Sequence, residues 1–248
     1  NLAGITAGGG ESQPLRVMAS SSSTGLIPNP TVTYTSANAT GSIAFTPVTD
    51  QSGTATITVT VEDGGLDGNL STAGDNATFS RTFDVTVSAV NDDPTLNTLL
   101  NLSIAEDAAQ QTVNLAGITA GGGEFQPLRV TAISSTGLIP NPTVTYTTAN
   151  ATGSIAFTPV TDQSGTATIT VTVEDGGLDG NLDTAGDNAT FSRTFDVTVN
   201  AVNDTPTLDA IGNISIAEDA AQQTVNLAGI TAGGGESQPL RVTASSSS

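Results

Sequence analysis

Along Gly165–Val173 the chain reads Gly-Thr-Ala-Thr-Ile-Thr-Val-Thr-Val. Ala167, Ile169, Val171 and Val173 fall on one parity and Thr166, Thr168, Thr170 and Thr172 on the other. A period of two is the pattern of a β-strand with one buried face. Thr suits the outer face, because its branched Cβ favours extended backbone while its hydroxyl stays solvated. Phe191–Ala201 repeats the alternation, setting Phe191, Phe195, Val197, Val199 and Ala201 against Ser192, Thr194, Asp196 and Asn200. Arg193 falls on the apolar parity, which predicts it at a strand end with its stem packed and its head in solvent. Shorter runs at Leu102–Glu106, Thr112–Ile118, Leu128–Ile133, Thr143–Thr147 and Ser154–Thr158 are punctuated by Pro127, Pro140, Pro142 and Pro159.

Seven short strands with no helical period predict an all-β fold, a Greek-key β-sandwich of immunoglobulin type. The expected core is Leu128, Val130, Val144, Tyr146, Ile155, Phe157, Ile169, Val171, Phe195 and Val197.

The pattern also recurs. Asn-Leu-Ala-Gly-Ile-Thr-Ala-Gly-Gly-Gly-Glu begins at Asn1, Asn114 and Asn226, spacings of 113 and 112 residues. Thr24–Val113 and Thr136–Val225 agree at roughly nine positions in ten. Such copying predicts a tandem array of one domain type. Boundaries fall at Val90-Asn-Asp-Asp-Pro94 and Val202-Asn-Asp-Thr-Pro206, where Pro cannot donate a ladder hydrogen bond. On this phase, 1–91 is a domain lacking its first strand, 92–203 is a complete copy and 204–248 opens a third. The expectation is a stretch of a longer array.

Composition narrows the chemistry. The chain has no Cys, His or Trp, its five basic residues are all Arg, and its net charge is −19. That charge makes nucleic acid and anionic membrane surfaces poor partners, and no apolar run approaches a membrane span. Gly121–Gly123 is followed by neither Lys nor a helix, so a bulged turn is expected rather than a phosphate cradle. No Ser stands in a nucleophile-elbow context, and the paired carboxylates lie in loops copied in every repeat. An enzyme is not expected.

Three segments in order at domain spacing, Pro159-Val-Thr-Asp-Gln-Ser-Gly165, Val173-Glu-Asp-Gly-Gly177 and Val202-Asn-Asp-Thr-Pro206, resemble the bacterial cadherin-like tandem repeats. Ile104-Ala-Glu-Asp107 resembles the acidic end of that family's first strand. The resemblance implies cadherin-like sandwiches in large extracellular bacterial proteins, as stalks, adhesins or surface fibres, with calcium at many junctions. Ca²⁺ takes six to eight oxygen ligands. Asp50, Asn91 and Asp92 would supply the first junction, and Glu106, Asp162, Asn203 and Asp204 the second. The Asp-x-Asp of the family's vertebrate relatives is missing from Ile133–Pro140, so one ion at most is expected at each. The loop Glu174–Asn188 is a second acidic candidate, through Asp175, Asp179 and Asp187, or else a long solvated hairpin loop. It matches neither the EF-hand nor the calcium β-roll pattern.

Asn38, Asn76, Asn101, Asn150, Asn188 and Asn213 each begin an Asn-x-Ser/Thr sequon, making covalent glycans a candidate modification. The functional expectation is a structural array forming an extended extracellular stalk or fibre, partnered by neighbouring copies of the repeat. The alternative is an adhesin repeat that binds glycans or partner surfaces.

Overall fold

The computed structural model describes residues 1–72 and 74–247, which divide into two compact units, Asn1–Asn91 and Asp92–Ser248. The first unit carries β1 (Leu2–Ala3), β2 (Leu15–Ser21), β3 (Thr31–Thr33), β4 (Thr40–Ala44), β5 (Gly53–Asp63) and β6 (Thr78–Val87). The second carries β7 (Leu102–Ala105), β8 (Gln111–Ala116), β9 (Leu128–Ser134), β10 (Thr143–Thr145), β11 (Thr152–Phe157), β12 (Gly165–Asp175) and β13 (Thr190–Asn200). The seven runs read from the alternation are these seven strands.

The second unit is a two-sheet β-sandwich. One sheet has the order β7-β13-β12-β9 and the other β10-β11-β8. The chain changes sheet at β7–β8, β8–β9, β9–β10 and β11–β12, as in a Greek-key sandwich. β12 and β13 form the longest ladder, antiparallel from Gly165↔Val199 to Glu174↔Thr190. β7 joins β13 in parallel, with Val197↔Leu102 and Val199↔Ile104.

Ala167, Ile169, Val171 and Val173 are fully buried on the inner face of β12, as the parity requires. They share a core with Leu115 of β8, Ile155 and Phe157 of β11, and Phe195, Val197 and Val199 of β13. Each of the larger side chains, Ala167 excepted, contributes about 1.5–3 kcal/mol relative to exposure. Val144 and Tyr146 are only partly buried against this core. Leu96, Ile118 and Ile139 are buried as well, and lie outside the core read from the alternation. All three sit outside the strands; Leu96 and Ile139 lie where periodicity carries no signal, and Ile118 ends the run read as Thr112–Ile118, two residues past the end of β8. On the outer face, Thr168 Oγ1 donates to Asp196 Oδ1 (2.7 Å) and the Thr172 and Ser192 hydroxyls pair at 2.8 Å. These cross-strand pairs keep the polar face ordered.

Arg193 corrects the expectation of a strand end. It lies within β13 opposite Val171, its guanidinium stacks over Phe191 at 4.8 Å, and its Nε donates to the Leu96 carbonyl (3.2 Å). A mid-strand Arg is tolerated there because ring and carbonyl together satisfy it at the rim of the core.

The first unit repeats the plan with sheets β2-β5-β6 and β1-β4-β3. Its core is Ile5, Leu15, Val17, Leu26, Ile27, Ala55, Ile57 and Val59. Among the described residues, no strand pairs with the outer edge of β6. Residues 204–247 hold one isolated bridge, Thr207↔Thr231, matching Thr95↔Thr119 of the complete copy.

Candidate metal centre

The linker after β13 is tied down residue by residue. β7 ends with Ile104 facing the core, and Glu106 shares that parity, so its carboxylate turns inward and is buried. Its backbone N–H donates to the Asn200 carbonyl (3.0 Å), and its Oε1 accepts the Val202 N–H at 2.7 Å. Glu106 therefore clamps the exit of β13 to the end of β7. Asp107, on the opposite parity, faces out.

Three carboxylates meet beside this clamp. One oxygen each from Asp107, Asp162 and Asp204 lie within 4.8 Å of one another. Asp162 reaches the group from the turn before β12, in a left-handed conformation (φ 59°) that Asp tolerates better than most residues. Asp204 comes from the linker, and its Oδ2 is shielded from solvent without a hydrogen-bond donor. Burial, with Asp162, Asp107, Glu236 and Glu106 around it, raises the Asp204 pKa above its ordinary value. Desolvation is the largest cause and like charge the next.

The triple glycine explains how Asp204 is held. Gly234 (φ +44°) lies so close to the Asp204 carboxylate that a Cβ there would overlap Oδ2, and a Cβ on Gly233 would meet the Thr205 carbonyl. Glu236 Oε2 accepts the Asp204 N–H (3.2 Å), and Gln238 Nε2 donates to the same Glu236 oxygen. The complete copy repeats this at its own entrance. Gly122 packs on the Asp92 carboxylate, Glu124 Oε2 accepts the Asp92 N–H (3.3 Å), and Gln126 Nε2 holds Glu124 (2.9 Å). Gly-Gly-Gly-Glu-x-Gln is thus a cradle for the linker aspartate.

The predicted ligands take different places. Asp162 and Asp204 join the triad. Glu106 serves as the clamp, and Asn203 Nδ2 donates to the Asp204 carbonyl (3.0 Å). Asp50 and Asn91 lie in the first unit and Asp92 in the second. Sequence reasoning missed Asp107 as a member of the triad and Glu236 as a support. Strand parity signals the first, since residue 107 faces away from Ile104, and the recurring glycine motif signals the second.

The loop carboxylates are engaged by backbone. Asp175 Oδ1 accepts the Gly177 and Ala189 N–H groups, both at 2.9 Å. Asp187 Oδ2 accepts from Leu178 and Asp179 at 2.8 and 3.2 Å, and Asp179 accepts from Asn181 N–H and Thr184 Oγ1. Such Asx-type acceptors fold the loop on itself. Of the sequons, Asn38, Asn101, Asn150 and Asn213 are exposed. Asn76 and Asn188 instead donate their side-chain amides to Glu62 and Glu174 (3.0 and 3.2 Å).

The donor set fits a hard cation: three carboxylates, one with a shielded and unpartnered oxygen, and no nitrogen or sulfur ligand.

No protein-family model matches the chain, and no curated protein matches it. Among solved structures, domains 1–6 of surface layer protein SbsC are 16% identical over 78% of this chain and 21% of that one, with a TM-score of 0.32. Mouse cadherin-23 EC22-24 is 16% identical over 78% of this chain and 57% of that one (TM-score 0.43). Protocadherin gamma B2 extracellular cadherin domains 3–6 are 14% identical over 77% and 44% (TM-score 0.38). The chain spans about a fifth of the SbsC structure's length.

Proposed function

We propose that the chain is part of a structural array, an extended extracellular stalk or fibre of bacterial type, whose repeat boundary is stiffened by a calcium ion. The observation that carries the reading is the meeting of Asp107, Asp162 and Asp204 at the exit of the complete repeat. These residues come from the first strand's end, the turn before β12 and the linker. An ion held among them would tie three separate segments together, and its charge would offset their mutual repulsion. Glu106 and Glu236 position the linker for it. Near-identity of the copies and the Thr-rich outer faces support a role in which length and regularity are the product.

Thermal unfolding of the full chain in Ca²⁺ and in chelator tests this. The expected result is an upward shift with Ca²⁺ that Asp204→Asn removes. No shift at millimolar Ca²⁺ would overturn the calcium reading. Covalent glycans at the exposed sequons fit the same surface role, and an intact mass equal to that of the bare polypeptide would remove them.

A further inference from the structure

The two outer faces of the complete repeat use their hydroxyls differently. On the β12–β13 face, Thr168 is engaged by Asp196 and Thr172 by Ser192. On the smaller sheet, Asn114 of β8, Ser154 of β11 and Thr145 of β10 stand opposite one another across neighbouring strands. Leu115 and Ile155 beside them are buried and Val144 packs on the core, so this row faces outward. Thr152 lies opposite Ala116 two residues along, and with Thr147 and Asn150 these groups line one hollow. Among the described residues, none of the hollow's amide or hydroxyl side chains at 114, 145, 147, 150, 152 and 154 has a hydrogen-bond partner in the protein.

The hollow is held in shape. Tyr146 packs its ring on the core and donates its hydroxyl to the Asn150 carbonyl (3.0 Å), while the Asn150 N–H donates to the Thr147 carbonyl (3.1 Å). Gly153 makes room for the ring, since a Cβ there would come within 3.0 Å of Tyr146 Cδ2. Ala149 closes the turn in a left-handed conformation (φ 69°), which a non-glycine residue keeps only where its surroundings fix it. The first unit repeats the arrangement. Thr33, Asn38, Thr40 and Ser42 line its hollow, the Tyr34 hydroxyl donates to the Asn38 carbonyl (3.1 Å), and Ala37 takes φ 76°.

The lining selects a class of ligand. Among the described residues around it there is no Asp, Glu or Arg, in a chain of net charge −19, so neither a cation nor an anion meets a counter-charge. Its amides and hydroxyls both donate and accept, and its Thr and Ala116 methyls offer small apolar contacts. A ligand that is uncharged, rich in hydroxyls and apolar on its C–H faces matches each of these features. We infer that each repeat binds a neutral saccharide in the hollow between Asn114, Thr145, Asn150 and Ser154. The site uses no carboxylate of the metal centre and does not rest on the calcium reading.

Asn150 also begins a sequon, so the test uses the full chain as bare polypeptide, verified by intact mass. The isotope-labelled chain is titrated with gluco-, manno- and galacto-hexaose, and with hexagalacturonate as the charged control. At least one neutral oligomer should shift the amide resonances of Asn114, Thr145–Asn150 and Thr152–Ser154 and of their copies in the first unit, and the control should not. Thr145 is exposed and Ser154 half-buried, so Thr145→Val with Ser154→Ala should leave the circular dichroism unchanged. That double variant should weaken binding at the second unit about tenfold or more, the scale of two lost neutral hydrogen bonds, and leave the first unit's site as it was. No shift with any neutral oligomer at millimolar concentration, shifts centred elsewhere, preference for hexagalacturonate, or affinity indifferent to the double variant would each overturn the inference.

Discussion

Gly234 shows how a single residue positions chemistry it does not perform. Its left-handed backbone and missing Cβ let the chain seat on the Asp204 carboxylate. Gly234→Ala should destabilise the 204–247 segment by about 1–3 kcal/mol, the scale of a strained backbone plus a steric overlap. Protease protection of that segment, measured in the full chain, checks this. Asp204 carries a second prediction. Its pKa is raised, so without cation the native state loses stability as pH rises through that value, where the crowded carboxylate must ionise. Ca²⁺ binding runs the other way, because a protonated Asp is no ligand. The calcium-induced shift in unfolding temperature should shrink as pH falls toward the Asp204 value, and a pH-independent shift would place the ion elsewhere. Asp162 and Asp204 were legible from composition and boundary position. Glu106 was also legible as a junction residue, but its place as a clamp and the parts of Asp107 and Glu236 were not, because they depend on which faces meet after folding.

At the scale of the strand, β5 and β12 are the same element used twice. Both place Ala, Ile and Val on the inner face, and both carry, one residue before the end, a glutamate paired with an arginine on the neighbouring strand. Arg16 reaches Glu62 at 2.5 Å and Arg129 reaches Glu174 at 2.7 Å. The arginine hydrogen bond is the leading cause that lowers the pKa of each glutamate below 4.5, with Asn76 and Asn188 assisting. A lowered carboxylate pKa stabilises the fold above the unfolded value, and that stability is lost as pH falls through the folded value. Arg16→Gln and Arg129→Gln should therefore lower the unfolding temperature at neutral pH and have little effect at pH well below 4.5. Equal effects at both pH values would show that the stems, not the charges, matter. Strand positions were readable because alternation runs unbroken from Gly165 to Val173 in β12. Leu96 and Ile139 were not, since they enter the core from non-strand segments and no period marks them, while Ile118 was read as the end of a strand that stops at Ala116.

Across the whole chain, two units of nearly the same sequence differ in how completely their sheets close. The second has a four-stranded sheet, and the first has three strands in the same place. Under monomeric conditions calorimetry should therefore resolve two transitions, the lower belonging to the first unit. Ile57→Ala should move only the lower and Ile169→Ala only the upper, each losing about 2–5 kcal/mol for a fully buried isoleucine. A single transition displaced by either substitution would instead mean that the units unfold together.

The clearest division between sequence and structure lies in one repeated pentapeptide. Periodicity, turn residues and near-identical copies determined the strands, the sandwich class and the repeat by themselves, because those signals are local and survive any arrangement. Yet Leu102–Ala105 is a strand while Ile214–Ala217, with almost the same residues, is not. Local propensity is equal in the two places. What differs is the neighbour: β13 pairs with the first segment, and among the described residues no strand pairs with the second. A strand's backbone groups are satisfied only by a neighbour, so its formation, like the gathering of three distant aspartates, was decided by tertiary contact.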